Sequence, residues 1–114
     1  MTINLVIETV DELKPNVYAP ERKKGWILDV EGRVNAEIVK GTYVAPADDA
    51  ALLVPFPYDG VYLAYIEAQI AKYQLDYNEY SLLSIAFNKL FDDYATFYIR
   101  NNEPAQPNSI SNIW

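Results

Sequence analysis

The chain has no cysteine and no histidine, few glycines, and far fewer bases than acids. Without cysteine there are no disulfides, thiolate metal sites or cysteine nucleophiles, which fits a reducing cytoplasm. Without histidine, the commonest general base and the commonest transition-metal ligand are both missing. The four glycines (Gly25, Gly32, Gly41, Gly60) are scattered, and none belongs to a phosphate-cradling loop. Nine bases against sixteen acids give a net charge of −7. That argues against a dedicated nucleic-acid binder and against polybasic attachment to anionic lipid. No stretch approaches the ~18 consecutive apolar residues of a membrane span, and Met1-Thr2-Ile3-Asn4 lacks a basic segment leading into an apolar run. The expectation is a soluble, unprocessed protein.

What is present suits one packed domain. The chain has 114 residues, of which 51% are hydrophobic and 22% charged, enough to bury a core. Charge and aromatics are unevenly spread. Residues 1–41 hold six bases and seven acids, whereas residues 42–114 hold three bases and nine acids. Eight of the ten tyrosines and all four phenylalanines lie between residues 56 and 98. The second half therefore reads as the packed core with an acidic exterior.

Helical periodicity dominates. Thr9-Val10-Asp11-Glu12 has the spacing of a capping box, and Pro15 closes the element, predicting a short helix over 10–14. Residues 1–7 read as a short strand or an extended arm. Pro20 suits the first position of a longer helix. Ile27, Val30, Val34 and Ile38 give that helix an apolar stripe, and Gly41 is its expected terminator. Gly25 and Gly32 inside it suggest helix–helix packing, or else a hinge or close backbone contact. Residues 42–58, with Pro46, Pro55, Pro57 and Asp48-Asp49, form the main connection. Its apolar Leu52–Pro57 run suggests a segment packed down on the core, or a contact between subunits.

Asp59 reads as the N-cap of a helix over about 59–75, with Tyr62, Ile66, Ile70 and Tyr73 on one face. Asp76 caps another over 77–99, where Tyr80, Leu83, Phe87, Leu90, Tyr94 and Phe97 step three and four apart. The short join predicts an antiparallel hairpin. The fold class is all-α: a small bundle of a long helix, a helix hairpin and one short N-terminal helix. Residues 1–100 form the domain. Residues 101–114 are expected to be a flexible tail with apolar hooks at Ile110, Ile113 and Trp114.

Catalytic patterns are not found in this sequence. Ser81 and Ser84 have no histidine partner, and only Lys72 and Lys89 could replace one. Asp48-Asp49 and Asp92-Asp93 match no calcium loop, and neighbours on a helix point about 100° apart, so Asp92 and Asp93 do not converge. They read as a solvated acidic face. The tyrosines fit core packing and, for the same physical reason, protein interfaces. No catalytic residue, metal site or cofactor is expected.

The wording of the sequence goes further. Val10-Asp11-Glu12-Leu13-Lys14-Pro15-Asn16, Trp26 with Glu31-Gly32-Arg33, and Leu53-Val54-Pro55-Phe56-Pro57-Tyr58-Asp59 form an ordered series. Tyr62, Tyr65-Ile66-Glu67-Ala68-Gln69-Ile70, Phe87-Asn88 and Tyr98-Ile99-Arg100-Asn101 continue it. Over residues 9–104 this resembles a family of small head–tail connector (head-completion) adaptors from tailed phages and prophages of Gram-positive bacteria. The resemblance implies a structural, non-enzymatic virion protein of the neck, assembled in the host cytoplasm. It implies a ring of about twelve copies beneath the portal protein, each copy needing two different complementary patches. The ring would extend the DNA channel and receive the next neck or tail protein, with DNA as passing cargo repelled by acidic walls. Candidate interface residues are Pro55, Phe56, Pro57, Tyr58, Ile110, Ile113 and Trp114. Other readings are a different small neck, tail or capsid accessory protein, or an acidic regulatory binder directed at the host.

Overall fold

The computed structural model describes residues 1–102, and over them the fold is all-α. Four helices follow in order: α1 (Ile3–Leu13), α2 (Pro20–Val34), α3 (Gly60–Tyr73) and α4 (Tyr77–Asn102). A π-helical turn, Asn35–Val39, prolongs α2.

Helix α1 is longer than the sequence reading and starts earlier. Thr2 is its cap: the Leu5 N–H donates to the Thr2 hydroxyl at 3.1 Å. Thr9 lies inside the helix, and its hydroxyl donates to the Leu5 carbonyl at 2.7 Å. The expected capping box and N-terminal arm are therefore both replaced by a full helix. Ile3, Val6 and Val10, at helical spacing, form its buried stripe.

Pro20 opens α2 as expected, and Ile27, Val30, Val34 and Ile38 are all buried, joined by Trp26. Gly25 and Gly32 face open space, since a Cβ built on either meets nothing within 4 Å. The packing role expected of them does not hold. Nor does Gly41 supply the left-handed terminator. The Lys40 N–H donates to the Asn35 carbonyl at 2.6 Å, closing the wide π turn, and Lys40 itself takes φ 59°.

Helix α3 is the centre of the bundle, in contact with α1, α2 and α4. Val61, Tyr62, Ala64, Ile66, Ala68, Ile70 and Ala71 are buried, so it is covered nearly all round. Asp59 precedes it, but its side chain makes no cap bond. The first turn is already closed by Val61 and Tyr62 donating to the Tyr58 and Asp59 carbonyls, each at 3.2 Å. At the far end, Leu75 adopts φ 63° in the join, and the Asp76 carboxylate caps α4 by accepting from the Glu79 N–H at 3.2 Å.

The α3–α4 hairpin is in close register: a Cβ on Gly60 would lie 3.4 Å from Leu90, and the Tyr65 and Phe87 rings sit 5.3 Å apart. Phe87 and Tyr94 are buried as expected, whereas Phe97 is 39% exposed. Phe91, off the expected stripe, is buried as well. Helix α4 also packs on the π turn after α2, and the Arg33 guanidinium covers Phe91 at 4.6 Å. Helix α4 is described as far as Asn102, where Asn101 and Asn102 turn their side chains back onto the Phe97 and Tyr98 carbonyls. The expected tail from residue 101 therefore begins as helix.

Candidate functional site

Two polar latches, one around the buried Lys23 and one around the buried Glu31, hold the segments that carry the sequence motifs. The first joins α1 to α2. Lys23 is almost wholly buried, and its Nζ donates to Asp11 at 2.6 Å and to the Asn16 side-chain oxygen at 3.1 Å. The Asn16 amide donates in turn to Asp11 and to the Lys14 carbonyl. Each polar group of this corner finds a partner, which offsets the cost of burying a charge.

The second latch ties the long connection to the core. Glu31 on α2 is 1% exposed. Its carboxylate accepts from the Leu53 N–H at 3.1 Å and from the Tyr62 hydroxyl. The same hydroxyl accepts from the Val54 N–H at 2.9 Å. Burial raises the Glu31 carboxyl above its ordinary 4.5, opposed by those hydrogen bonds. Burial also raises the Tyr62 phenol, with the Glu31 charge adding to it. Nearby Tyr43 has a buried hydroxyl with no partner among the described residues, and burial with the Glu31 charge pushes it up to about 12. Leu52 and Val54 are buried on either side of the latch, and the Leu52 N–H donates to the Met1 carbonyl at 2.9 Å.

Beyond this anchor the chain turns outward. The Tyr58 N–H donates to the Pro55 carbonyl at 2.9 Å, closing a turn with Phe56 and Pro57 at its tip and a cis Phe56–Pro57 peptide. Tyr58 folds back onto α4, its ring 5.8 Å from Tyr94 and 5.2 Å from Phe97. Pro55 and Pro57 are exposed, and Phe56 is 84% exposed. Of the four candidates in this loop, Tyr58 is thus a brace and Phe56 is the presented side chain. Ile110, Ile113 and Trp114 lie outside the described residues.

Two clefts accompany α4. One, about 210 Å³, is lined by Arg33, Tyr65, Ala68, Tyr80, Ser84 and Phe87, with Gln69 and Asn88. The other, about 280 Å³, lies beside the loop, between Tyr58, Asp93, Thr96, Phe97, Arg100 and Asn101. Nothing in the spacing of the sequence announces the first cleft, since it needs α2, α3 and α4 together. Other apolar side chains are exposed as well: Leu82 and Ile85 on α4, and Leu13 and Val17 around the α1–α2 corner. Among the described residues no group of three or more Asp or Glu is placed to hold a metal ion, and no helix is long and apolar enough to cross a membrane. Comparison of the chain with protein-family models, curated proteins and solved structures finds no match.

Proposed function

We propose that this protein is a head–tail adaptor that joins a ring beneath the portal of a tailed phage or prophage. The observation that carries this reading is the ordered motif series from Val10 to Asn101, with Leu53–Asp59 as its most specific piece. Several motif residues have inward duties. Asp11 and Asn16 build one latch, while Glu31, Leu53, Val54 and Tyr62 build the other. Phe56 has no such duty, and a solvent-facing phenylalanine on an anchored turn is the kind of side chain that interfaces use as an anchor. Ile110, Ile113 and Trp114 serve in this reading as further docking groups. The acidic surface would let DNA pass without adhering.

The test is reconstitution with the portal protein of the same phage or prophage, imaged by cryo-electron microscopy. A ring seated on the portal supports the adaptor. Binding to a capsid or tail component without a portal-bound ring identifies the protein as a different accessory part of the virion. Removal of residues 103–114 with unchanged folding and lost attachment assigns the docking groups to that segment; unchanged attachment removes them from the interface.

A further inference from the structure

We infer that the end of the bundle where the α3–α4 join meets the α1–α2 corner docks into an apolar groove of a protein partner, with Leu75 as the anchor. Two observations carry this, and the first is a misfit between sequence and backbone. The join is a Schellman turn: the Asp76 N–H donates to the Ala71 carbonyl at 2.9 Å and the Leu75 N–H to the Lys72 carbonyl at 3.1 Å. Such a turn puts the residue after the C-cap in the left-handed region, where glycine or asparagine normally stands. Here that residue is Leu75, at φ 63°. A Cβ in this conformation crowds the following carbonyl oxygen. Nothing within the chain offsets the strain, because the Leu75 side chain is 69% exposed. Lys40 takes a positive φ as well, but a lysine side chain loses nothing by standing in water. Leu75 bears both costs at once, and strain of this kind gathers where a chain makes functional contacts.

The second observation is what surrounds Leu75. Twelve large apolar side chains are exposed among the described residues, and five of them stand at this end: Leu13, Val17, Tyr73, Leu75 and Tyr77. The Lys14–Glu79 ion pair at 2.8 Å draws the corner and the join together. Tyr18 and Trp26 complete the bond between them, with rings 6.2 and 5.9 Å from that of Tyr73. Trp26 stacks on Tyr73 at 17°, and the Arg22 guanidinium lies 5.9 Å from the same ring. The end is therefore ordered in advance, and docking costs it little conformational entropy. Apolar side chains gathered in this way mark an interaction surface.

Charge identifies the kind of occupant. Residues 11–26 and 72–79 build this end and hold five bases and five acids, so the excess of acids lies on the rest of the chain. A neutral end neither attracts a basic partner nor repels an acidic one, which leaves apolar burial as the driving force. Leu75 projects from a turn, so the matching surface is an uncharged apolar groove. A second copy offers no such groove: Arg33, Gln69 and Asn88 line one of its clefts, and Asp93, Arg100 and Asn101 the other. Tyr77 is roughly 25 Å along α4 from Tyr94, which braces the turn of Phe56, so Phe56 remains available for a different contact. The proposal deepens the adaptor reading and rests on it only for the choice of the portal protein as the binding probe.

The test compares full-length Leu75→Gly and Leu75→Asn with the parent, and uses Leu82→Gln on the exposed face of α4 as the control. Both Leu75 changes suit the left-handed turn and remove the anchor. Leu75→Gly should raise the folded-to-unfolded ratio about threefold by denaturant titration. Each Leu75 variant should weaken binding to the isolated portal protein about tenfold, whereas Leu82→Gln should not. Parent binding should be no weaker at about 1 M salt than at about 0.1 M. Retention on a phenyl matrix, which needs no partner, should fall for the Leu75 variants alone. A lower folding midpoint for Leu75→Gly, portal binding unchanged by the loss of Leu75, or parent binding that weakens as salt rises overturns the proposal. Self-association that depends on Leu75, seen by sedimentation, makes a second copy the occupant and overturns it too. A parent chain that does not bind the portal defeats the adaptor reading instead. Phenyl retention then decides the surface, and retention indifferent to Leu75 rejects it.

Discussion

Gly25 shows how a single residue can be misjudged from sequence. An internal glycine costs a helix roughly 0.5–1 kcal/mol relative to alanine, which invites a packing reason for its presence. None exists here, because the position is exposed and a Cβ meets nothing. Gly25→Ala should therefore stabilise the protein by about 0.5–1 kcal/mol, seen as a higher denaturant midpoint with an unchanged slope. Phe87 is the opposite case. It is 5% exposed and packs against both Tyr65 and Phe91. Phe87→Ala should cost about 3–5 kcal/mol, a large share of a small domain's stability. An unchanged midpoint would remove Phe87 from the core.

The connection from residue 42 to residue 58 behaves as an element in its own right, because the Glu31–Tyr62 latch fixes its end. Tyr62→Phe removes one hydroxyl that serves two partners, leaving the Val54 N–H unpaired in the interior and the Glu31 carboxylate with the Leu53 N–H as its remaining donor. The expected loss is about 1–3 kcal/mol, with faster amide exchange at Leu53 and Val54. The latch also gives stability a pH dependence. Burial raises the folded-state pKa of Glu31 above 4.5, so the folded chain holds that proton more tightly than the unfolded chain. Its contribution is present below about 4.5 and is lost as pH rises through the raised value. Glu31→Gln should flatten that fall, and what remains should come from Glu67, whose carboxyl burial also raises. A pH profile of unfolding identical in the two chains would rule out this origin. How much of each element was legible in the sequence follows from what specifies it. The stripe of α2 is a local periodicity and the α3–α4 hairpin follows from a short join between two periodic segments, and both read correctly. Helix α1 reads too short and too late because Thr9-x-x-Glu12 matches a capping box while Thr2 does the capping, a choice decided by where Ile3, Val6 and Val10 find a core. Phe91 and the cleft beside it depend on Arg33 reaching over from α2, and no window of sequence contains both. Phe56 was legible as part of a motif, whereas its isolation from every inward partner was not.

At the scale of the whole molecule, charge governs assembly. Each copy carries −7, so copies brought together repel until specific contacts outweigh the repulsion. Ion pairs within the chain do not remove this net charge. Lys24–Asp48, Arg33–Glu37 and Lys89–Asp93 lie at the surface and neutralise one another locally, leaving acids such as Glu8, Glu12, Asp49 and Asp92 exposed. Repulsion between exposed charges decays over a Debye length, about 10 Å at 0.1 M salt and about 3 Å at 1 M. Against such a field the isolated protein should be mainly monomeric at low salt. Raising the salt should increase self-association, the reverse of what complementary charges would give. A partner that supplies positive charge or fixes several copies at once would act in the same direction, which is the role proposed for the portal. Light scattering or sedimentation across a salt series checks this. A stable dodecamer of the pure protein at low salt would show that contacts between copies suffice without a template. Association that weakens as salt rises would show that attraction between charges holds the copies together.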